Sequence, residues 1–331
     1  MIVDAYTHMV HPSMLDAVAD YGGAFGAQVR STFERIEANR PQMTDLEIRL
    51  DQLDETAIDR QVVAPPGRFD PNRFPDDADK LGFARLVNDG MAELAASADG
   101  RLIGLGAVPM DADDDGRREE MARAVEDLGL QGFLVSSNAR GRPVDDPAFE
   151  GFWAAAEALD VPVYIHPSDP PSDAGRPYET DYDLMHNFGW PFETTLMLTR
   201  LVFSGVLDRY PELDVVSHHL GGMVPFFLGR TTETYRTPRE GTPELDRPIA
   251  DYYRRFYYDT AVGGSEAAIR CGLATVGADR ILLATDAPFG PPPGVGRLHE
   301  YPDLVQALDL GADDEAAILG GNAAELFDLD G

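Results

Sequence analysis

Seven histidines are spread over the 331 residues of the chain. Three of the places where they occur close short apolar runs. His8 follows VDAYT, His166 ends VYIH, and the pair His218–His219 follows Leu213–Ser217. Asp286 follows a fourth such run, Ile281–Thr285. Imidazole nitrogen and carboxylate oxygen suit Zn²⁺ and other borderline divalent ions, with a position left open for water or substrate. Such an ion polarises a substrate oxygen or lowers the pKa of bound water toward ~7. A histidine beside it titrates near neutrality and so can give or take a proton. Lys80, the single lysine, lies outside any strand end, which argues against two ions bridged by a modified lysine. Cys271 is the only cysteine, so neither an intrachain disulfide nor a cysteine metal cluster is expected. Each candidate also has a plainer use: a solvated loop histidine for His8, a satisfied buried histidine for His166, a helix cap for Asp286.

For these side chains to meet, the elements that carry them must converge. Eight apolar runs recur along the chain: Ile2–Tyr6, Gln61–Ala64, Leu102–Val108, Gly132–Val135, Val161–His166, Leu213–Ser217, Phe256–Thr260 and Ile281–Thr285. Several are rich in Val, Ile and aromatics, as buried parallel strands are. Helical patterns lie between them. In Arg118–Leu128, Met121, Ala124, Val125 and Leu128 fall on one face, and in Ala148–Leu159, Phe149, Phe152, Trp153 and Ala156 do the same. Asp146 and Pro147 precede the second as cap and first-turn proline. Asp313–Phe327 reads as a closing helix with an acidic start. Eight alternating units predict a single-domain (β/α)8 TIM barrel spanning residues 1–331. A doubly wound open sheet is the runner-up, weakened by the lack of a glycine-rich fingerprint after the first strand. Long connections at about 11–48, 167–195 and 225–253 would follow strands 1, 5 and 6 on the face where barrel enzymes keep their sites.

Fifty-eight acidic residues against 27 basic ones give a formal net charge of −31. Such a surface repels nucleic acid and anionic membranes, so neither is an expected partner. With a single lysine and the acidic stretch Asp111–Glu120, it suits a salty cytoplasm, where screening weakens self-repulsion, an acidic soluble enzyme from a GC-rich genome being the plainer alternative. No apolar run reaches membrane-spanning length, and the first residues lack the basic and apolar regions of a secretion signal. A cytoplasmic protein is the expectation.

Four segments carry a resemblance: VDAYTH (3–8), VYIHP (163–167), SHHLGGMVPFFLGR (217–230) and LLATDAPFG (282–290), with AILGGNAAELF (317–327) closing the chain. Together they resemble the amidohydrolase-related family that includes aminocarboxymuconate semialdehyde decarboxylase and the resorcylate-type decarboxylases. The match spans nearly the whole chain in order. It implies that His8 is the second histidine of the family's His-x-His, His166 the strand 5 ligand, His219 the catalytic histidine and Asp286 the strand 8 carboxylate. Neighbours on a strand point to opposite faces, so one of His218 and His219 is expected to face the mouth. The family pattern favours His219 and leaves His218 a structural role. Arg230 matches a position that in some members reaches a substrate carboxylate across a subunit contact, its plainer use being a surface salt bridge. Trp190 lies in a segment resembling the substrate cover. A homodimer is implied by the resemblance alone.

Tyr6 stands where the family has its first histidine, or a glutamate. Three readings are open: Tyr6 is a metal ligand or holds a metal-bound water; His8, His166 and Asp286 hold the ion alone; or the site works without metal. The first functional expectation is a decarboxylase of a small aromatic or unsaturated carboxylic acid using one divalent ion, Zn or Mn. The second is a hydrolase of a lactone, amide or cyclic diketone in the same mouth, with or without metal. The third is a non-catalytic binding protein, disfavoured by the joint presence of His166, His219 and Asp286.

Overall fold

In the computed structural model, residues 1–21, 23–74, 77–168, 181–237 and 244–329 are described. Each apolar run forms a strand: β1 (Val3–His8), β2 (Arg60–Ala64), β3 (Leu102–Gly104, resumed at Gly106–Ala107), β4 (Phe133–Ser136), β5 (Val163–His166), β6 (Val215–Ser217), β7 (Tyr257–Asp259) and β8 (Ile281–Leu282). All pair in parallel with their sequence neighbours. At the break in β3, Leu105 N donates to Val63 O at 2.9 Å and Gly106 N to Gly132 O at 2.9 Å, which joins the two halves of the sheet. The ring closes between β1 and the segment leaving β8. There Ala5 N donates to Leu283 O (2.7 Å), Asp286 N to Tyr6 O (3.0 Å) and His8 N to Ala287 O (2.7 Å). The fold is a (β/α)8 barrel.

Strand alternation sorts the side chains into two cores. Val62, Ala64, Ile103, Leu105, Leu134, Tyr164, Val216, Tyr257, Leu282 and Ala284 fill the barrel interior. Val63, Phe133, Val135, Val163, Ile165, Val215, Tyr258, Ile281 and Leu283 pack outward against the helices. β1 breaks the alternation. Its register against β2 slips between Asp4 and Thr7, so that Asp4 pairs with Gln61 but Thr7 with Val63. Val3, Ala5 and Tyr6 therefore all join the interior cluster. A β-bulge of this kind turns the strand and re-aims the side chains beyond it, here Tyr6 and then His8.

The helices form where their periodicity and caps place them. Asp146 Oδ1 accepts from Ala148 N at 3.0 Å, ahead of the helix Glu150–Ala158. Asp45 Oδ1 accepts from Ile48 N at 3.1 Å, starting Leu46–Asp54. In their described residues the long connections are largely helical rather than looped. Pro12–Tyr21, Gly23–Glu37 and Leu46–Asp54 occupy the first, Trp190–Phe203 continues from the second, and Val224–Tyr235 and Ile249–Tyr253 fill much of the third. Residues 169–180 of the second connection and 238–243 of the third lie outside the described residues. No described helix is long and apolar enough to cross a membrane.

Asp4 ties β1 to its neighbours. It accepts from Thr285 N (2.9 Å), Thr285 Oγ1 (2.6 Å) and Gln61 Nε2 (2.9 Å) while fully buried. Burial outweighs these bonds and pushes its carboxyl up from 3.8 to about 6. A raised carboxyl favours the folded state below its unfolded pKa, and that contribution is lost as pH rises through about 6. Gln61 Oε1 has no partner, so a flipped Gln61 amide can serve an asparagine at position 4. Relative to the parent, Asp4→Asn is expected to gain up to about 3 kcal/mol in unfolding free energy between pH 4 and pH 7. Urea unfolding at both pH values measures this. A difference that does not change with pH would show that the carboxyl is not held protonated.

Candidate active site

The interior layer ends at the mouth in a cluster of rings and carboxylates. Tyr6 and His8 come from the bulged end of β1, His166 from the last residue of β5, His218 and His219 from just past β6, Asp259 from the end of β7 and Asp286 from the segment after β8. The ring centroids of Tyr6 and His8 are 4.8 Å apart, those of His8 and His166 6.4 Å, and those of His166 and His219 5.9 Å. His8 Nε2 lies 3.4 Å from Asp286 Oδ1. The four residues singled out from sequence, His8, His166, His219 and Asp286, thus share one mouth.

The local backbone explains how each arrives. His8 is buried, its Nδ1 3.3 Å from Ala64 O. A carbonyl only accepts, so Nδ1 carries a proton and Nε2 is turned toward Asp286. The buried Arg49 donates Nη2 to His8 O at 2.5 Å, fixing the strand end from behind. Asp286 sits at φ +59°, a left-handed conformation that Asp and Asn tolerate. Its Oδ2 is 3.4 Å from Arg297 Nη1, which also donates to Thr285 O at 3.1 Å. Trp190, at the head of helix Trp190–Phe203, meets His166 edge to face at 5.3 Å and so borders the mouth. Arg230 lies exposed on helix Val224–Tyr235.

The pair His218–His219 corrects the expectation that one of them turns away. Alternation places His218 inward with Val216, and its ring is 5.4 Å from that of His166. His219 enters by another route. The strand has ended, and His219 and Leu220 both adopt left-handed backbone, at φ +55° and +53°, which swings the second imidazole into the mouth. Leu220 packs over Gly272, where a Cβ would come within 3.0 Å of its Cδ2. The turn is held by Asp259, whose Oδ1 accepts from His219 N (2.8 Å) and Ala261 N (3.1 Å). Asp259 Oδ2 lies 2.6 Å from His218 Nδ1.

Electrostatics derive from burial. The His166 imidazole is pushed well below its ordinary value by burial, then by His218, His219 and His8. His218 is pushed down by burial and by His219, against the pull of Asp286. Both are therefore neutral at pH 7, with a lone pair to offer. Burial raises Asp259 to about 6, against the favourable charge of His219 and two backbone N–H groups, so it is ionised at pH 7. For Asp286 burial is the largest single influence and acts upward. The surrounding imidazoles, His8 foremost and then His219 and His166, together hold the carboxyl below its ordinary value. The Tyr6 phenol is raised well above its ordinary value by burial, Asp286, Asp259 and Tyr164. It is neutral, and a neutral phenol is a poor metal ligand.

Three buried polar atoms in this cluster have no partner: Tyr6 Oη, His218 Nε2 and His219 Nδ1. Leaving such atoms unpaired costs about 1–3 kcal/mol each. Neutral imidazoles, an ionised carboxylate opposite His8 Nε2 and orphaned lone pairs are the donor chemistry of a divalent ion. Among the described residues, no group of three or more His, Cys, Asp or Glu side chains is already gathered into a cage. The donors fit an ion in kind and share a mouth, without closing on one point.

Sequence reasoning missed Asp259, Arg49 and Arg297. Asp259 carried a readable signal, because it ends an apolar strand as Asp286 follows one. Arg49 and Arg297 carried none, since nothing in a helix sequence says which arginine turns toward the barrel.

The amidohydrolase family model matches residues 3–329. Over 301 residues the chain is 30% identical to 2-amino-3-carboxymuconate-6-semialdehyde decarboxylase of Dictyostelium discoideum, covering 90% of this chain and 80% of that one. Over 270 residues it is 31% identical to gamma-resorcylate decarboxylase of Rhizobium sp. (strain MTP-10005), covering 78% and 80%. The crystal structure of 5-carboxyvanillate decarboxylase from Sphingomonas paucimobilis superposes with a TM-score of 0.86 at 26% identity over 99% of both chains. That of dihydroxybenzoic acid decarboxylase from Polaromonas sp. JS666, with bound manganese and 2-nitroresorcinol, superposes with a TM-score of 0.80 at 25% identity, covering 99% and 97%. By the reach of the family model, the identity to these relatives and the shared barrel, the chain belongs to the amidohydrolase family of enzymes.

Proposed function

We propose that this enzyme decarboxylates a small aromatic carboxylic acid with the help of one divalent ion, Mn²⁺ or Zn²⁺, in a single domain spanning residues 1–331. The observation that carries this reading is the meeting of His8, His166, His219 and Asp286 at the C-terminal mouth of the barrel. Relatives with the same overall fold are named for the loss of a carboxyl group from resorcylate, carboxyvanillate or carboxymuconate semialdehyde, and one of them holds manganese.

His8, His166 and Asp286 would hold the ion, which when bound stabilises negative charge on a substrate oxygen. The reaction breaks the bond between the ring carbon and its carboxylate. The carboxylate leaves as CO₂, the bonding pair stays on the ring carbon, and a proton must replace it. His219, with an unpartnered Nδ1 in the mouth, is placed to hold that proton, and Asp286 to relay it. Trp190, edge-on to His166, offers an aromatic wall for a planar substrate.

Arg230 is exposed on a helix that also shows Phe226, 78% exposed, to solvent. Phe192 and Leu196 are exposed on Trp190–Phe203. An apolar surface of this kind supports a homodimer in which Arg230 reaches the neighbouring copy's substrate carboxylate. A cytoplasmic setting completes the reading.

The test is a carbon balance. Protein loaded with Mn²⁺ or Zn²⁺ is incubated with 2,6-dihydroxybenzoate, 5-carboxyvanillate and a panel of lactones. One CO₂ is expected for each aromatic acid consumed. Acid released from a lactone without CO₂ would instead make the enzyme a hydrolase.

A further inference from the structure

Tyr6 takes a donor away from β1, and the opposite wall of the barrel carries an imidazole with no assigned task. His218 is fully buried. Its Nδ1 lies 2.6 Å from Asp259 Oδ2, while its Nε2 has no partner. Its ring is tilted over the Tyr6 ring at 3.7 Å between centroids, the shortest ring contact of the cluster, and stands 5.4 Å from His166. The imidazole therefore fills space directly against the side chain of position 6.

We propose that His218, oriented by Asp259, is a ligand of the divalent ion and supplies from β6 the nitrogen donor that Tyr6 does not provide from β1. This rests on the metal-dependent reading above. Ligating histidines commonly donate their second ring N–H to a carboxylate or carbonyl, which fixes the tautomer and raises the basicity of the free nitrogen. His218 has that arrangement through Asp259, and His8 has it through Ala64 O. In both, Nδ1 carries the proton and Nε2 is turned away from its hydrogen-bond partner. Two Nε2 atoms are thus offered to the mouth, one from the end of β1 beside the ionised Asp286 and one from just past β6. Tyr6 serves as a neutral ring against which His218 is packed. Its Oη, also unpartnered, is left to donate a hydrogen bond to a water or substrate oxygen rather than to coordinate.

The experiment is Mn²⁺ and Zn²⁺ titration of the full chain by calorimetry, with Mn²⁺ electron paramagnetic resonance as a second readout independent of turnover. His218→Asn keeps a donor near Nδ1 for Asp259 and lacks Nε2. It is expected to lose affinity by at least about tenfold. Asp259→Asn leaves an amide oxygen for His219 N and Ala261 N, but its NH₂ faces His218 Nδ1 and drives the proton to Nε2. It should lose about 10- to 100-fold while circular dichroism stays that of the parent. Tyr6→Phe should bind as the parent does. Tyr6→His placed in the His218→Asn chain should recover affinity, because the donor returns from β1. A folded His218→Asn protein that binds Mn²⁺ like the parent, or a loss confined to Tyr6→Phe, overturns the proposal and leaves the metal-dependent reading standing. A parent protein that binds neither ion overturns both.

Discussion

Asp286→Asn is expected to lower turnover of an aromatic acid by on the order of 10²–10⁴-fold while leaving the fold intact. The two halves of this expectation have separate causes. The fold survives because Asn, like Asp, accepts the left-handed φ of +59° found here. An amide also keeps the size of the carboxylate and can still accept from Arg297 Nη1, now 3.4 Å away. An alanine would add backbone strain and blur the result. Activity is lost because the carboxylate's charge is the group's contribution. It stands 3.4 Å from His8 Nε2 and is held ionised against burial by the surrounding imidazoles. With an amide there, negative charge opposite His8 disappears. Both cation retention and proton relay fail together. Circular dichroism, metal content and CO₂ release on one preparation separate these effects. Turnover within tenfold of the parent, with the fold preserved, would sink the decarboxylase and hydrolase readings alike.

His219→Asn carries the second large effect. This residue also has a left-handed backbone, φ +55°, so asparagine again keeps the turn, and Asp259 Oδ1 continues to accept from the backbone N–H at position 219. What disappears is the imidazole whose Nδ1 has no partner in the mouth. A positioned proton donor or acceptor contributes typically about 10²–10⁴-fold, and a loss in that range is expected in kcat. Mn²⁺ affinity should stay close to the parent's, since His219 is assigned the proton and not the ion. The two neighbouring histidines are thereby told apart by readout: His218→Asn moves affinity, His219→Asn moves kcat at saturating metal. If His219→Asn strips the metal while the ion still binds the parent, His219 is a ligand and its proton-transfer role is wrong.

Much of the barrel was legible because each element is specified locally. The eight apolar runs are short, dense in Val, Ile and aromatics, and separated by segments of helical period, and all eight became strands. His8, His166 and Asp286 were legible for the same reason. A parallel barrel carries the ends of its strands to one mouth whatever lies between them, so a polar residue closing an apolar run has a known destination. Asp259 obeys this rule too and could have been picked out by it.

Other features had no local cause to read. The bulge between Asp4 and Thr7 turns both Ala5 and Tyr6 inward. It arises from how β1 must pair with β2 on one side and with residues 283–287 on the other. The two histidines after β6 become alternatives only when strand alternation is carried one residue too far. The strand stops at Ser217, and beyond it the left-handed turn at His219 and Leu220 is set by Asp259 accepting two backbone N–H groups. Asp259 lies 40 residues away in sequence from His219. Arg49 reaches His8 O from a helix 41 residues on.

By itself, then, the order of residues determined the kind of chemistry available: which imidazoles and carboxylates stand at strand ends, and that a tyrosine stands two residues before His8. Tertiary structure alone decided how these groups are used. Which nitrogen of His218 is free, whether the Tyr6 phenol is neutral, and whether Asp286 is ionised all depend on burial and on partners from distant strands. The physical reason is that local sequence sets periodicity and backbone preference. Proton states and hydrogen-bond direction are properties of the assembled, water-poor mouth, and exist only once the barrel has closed.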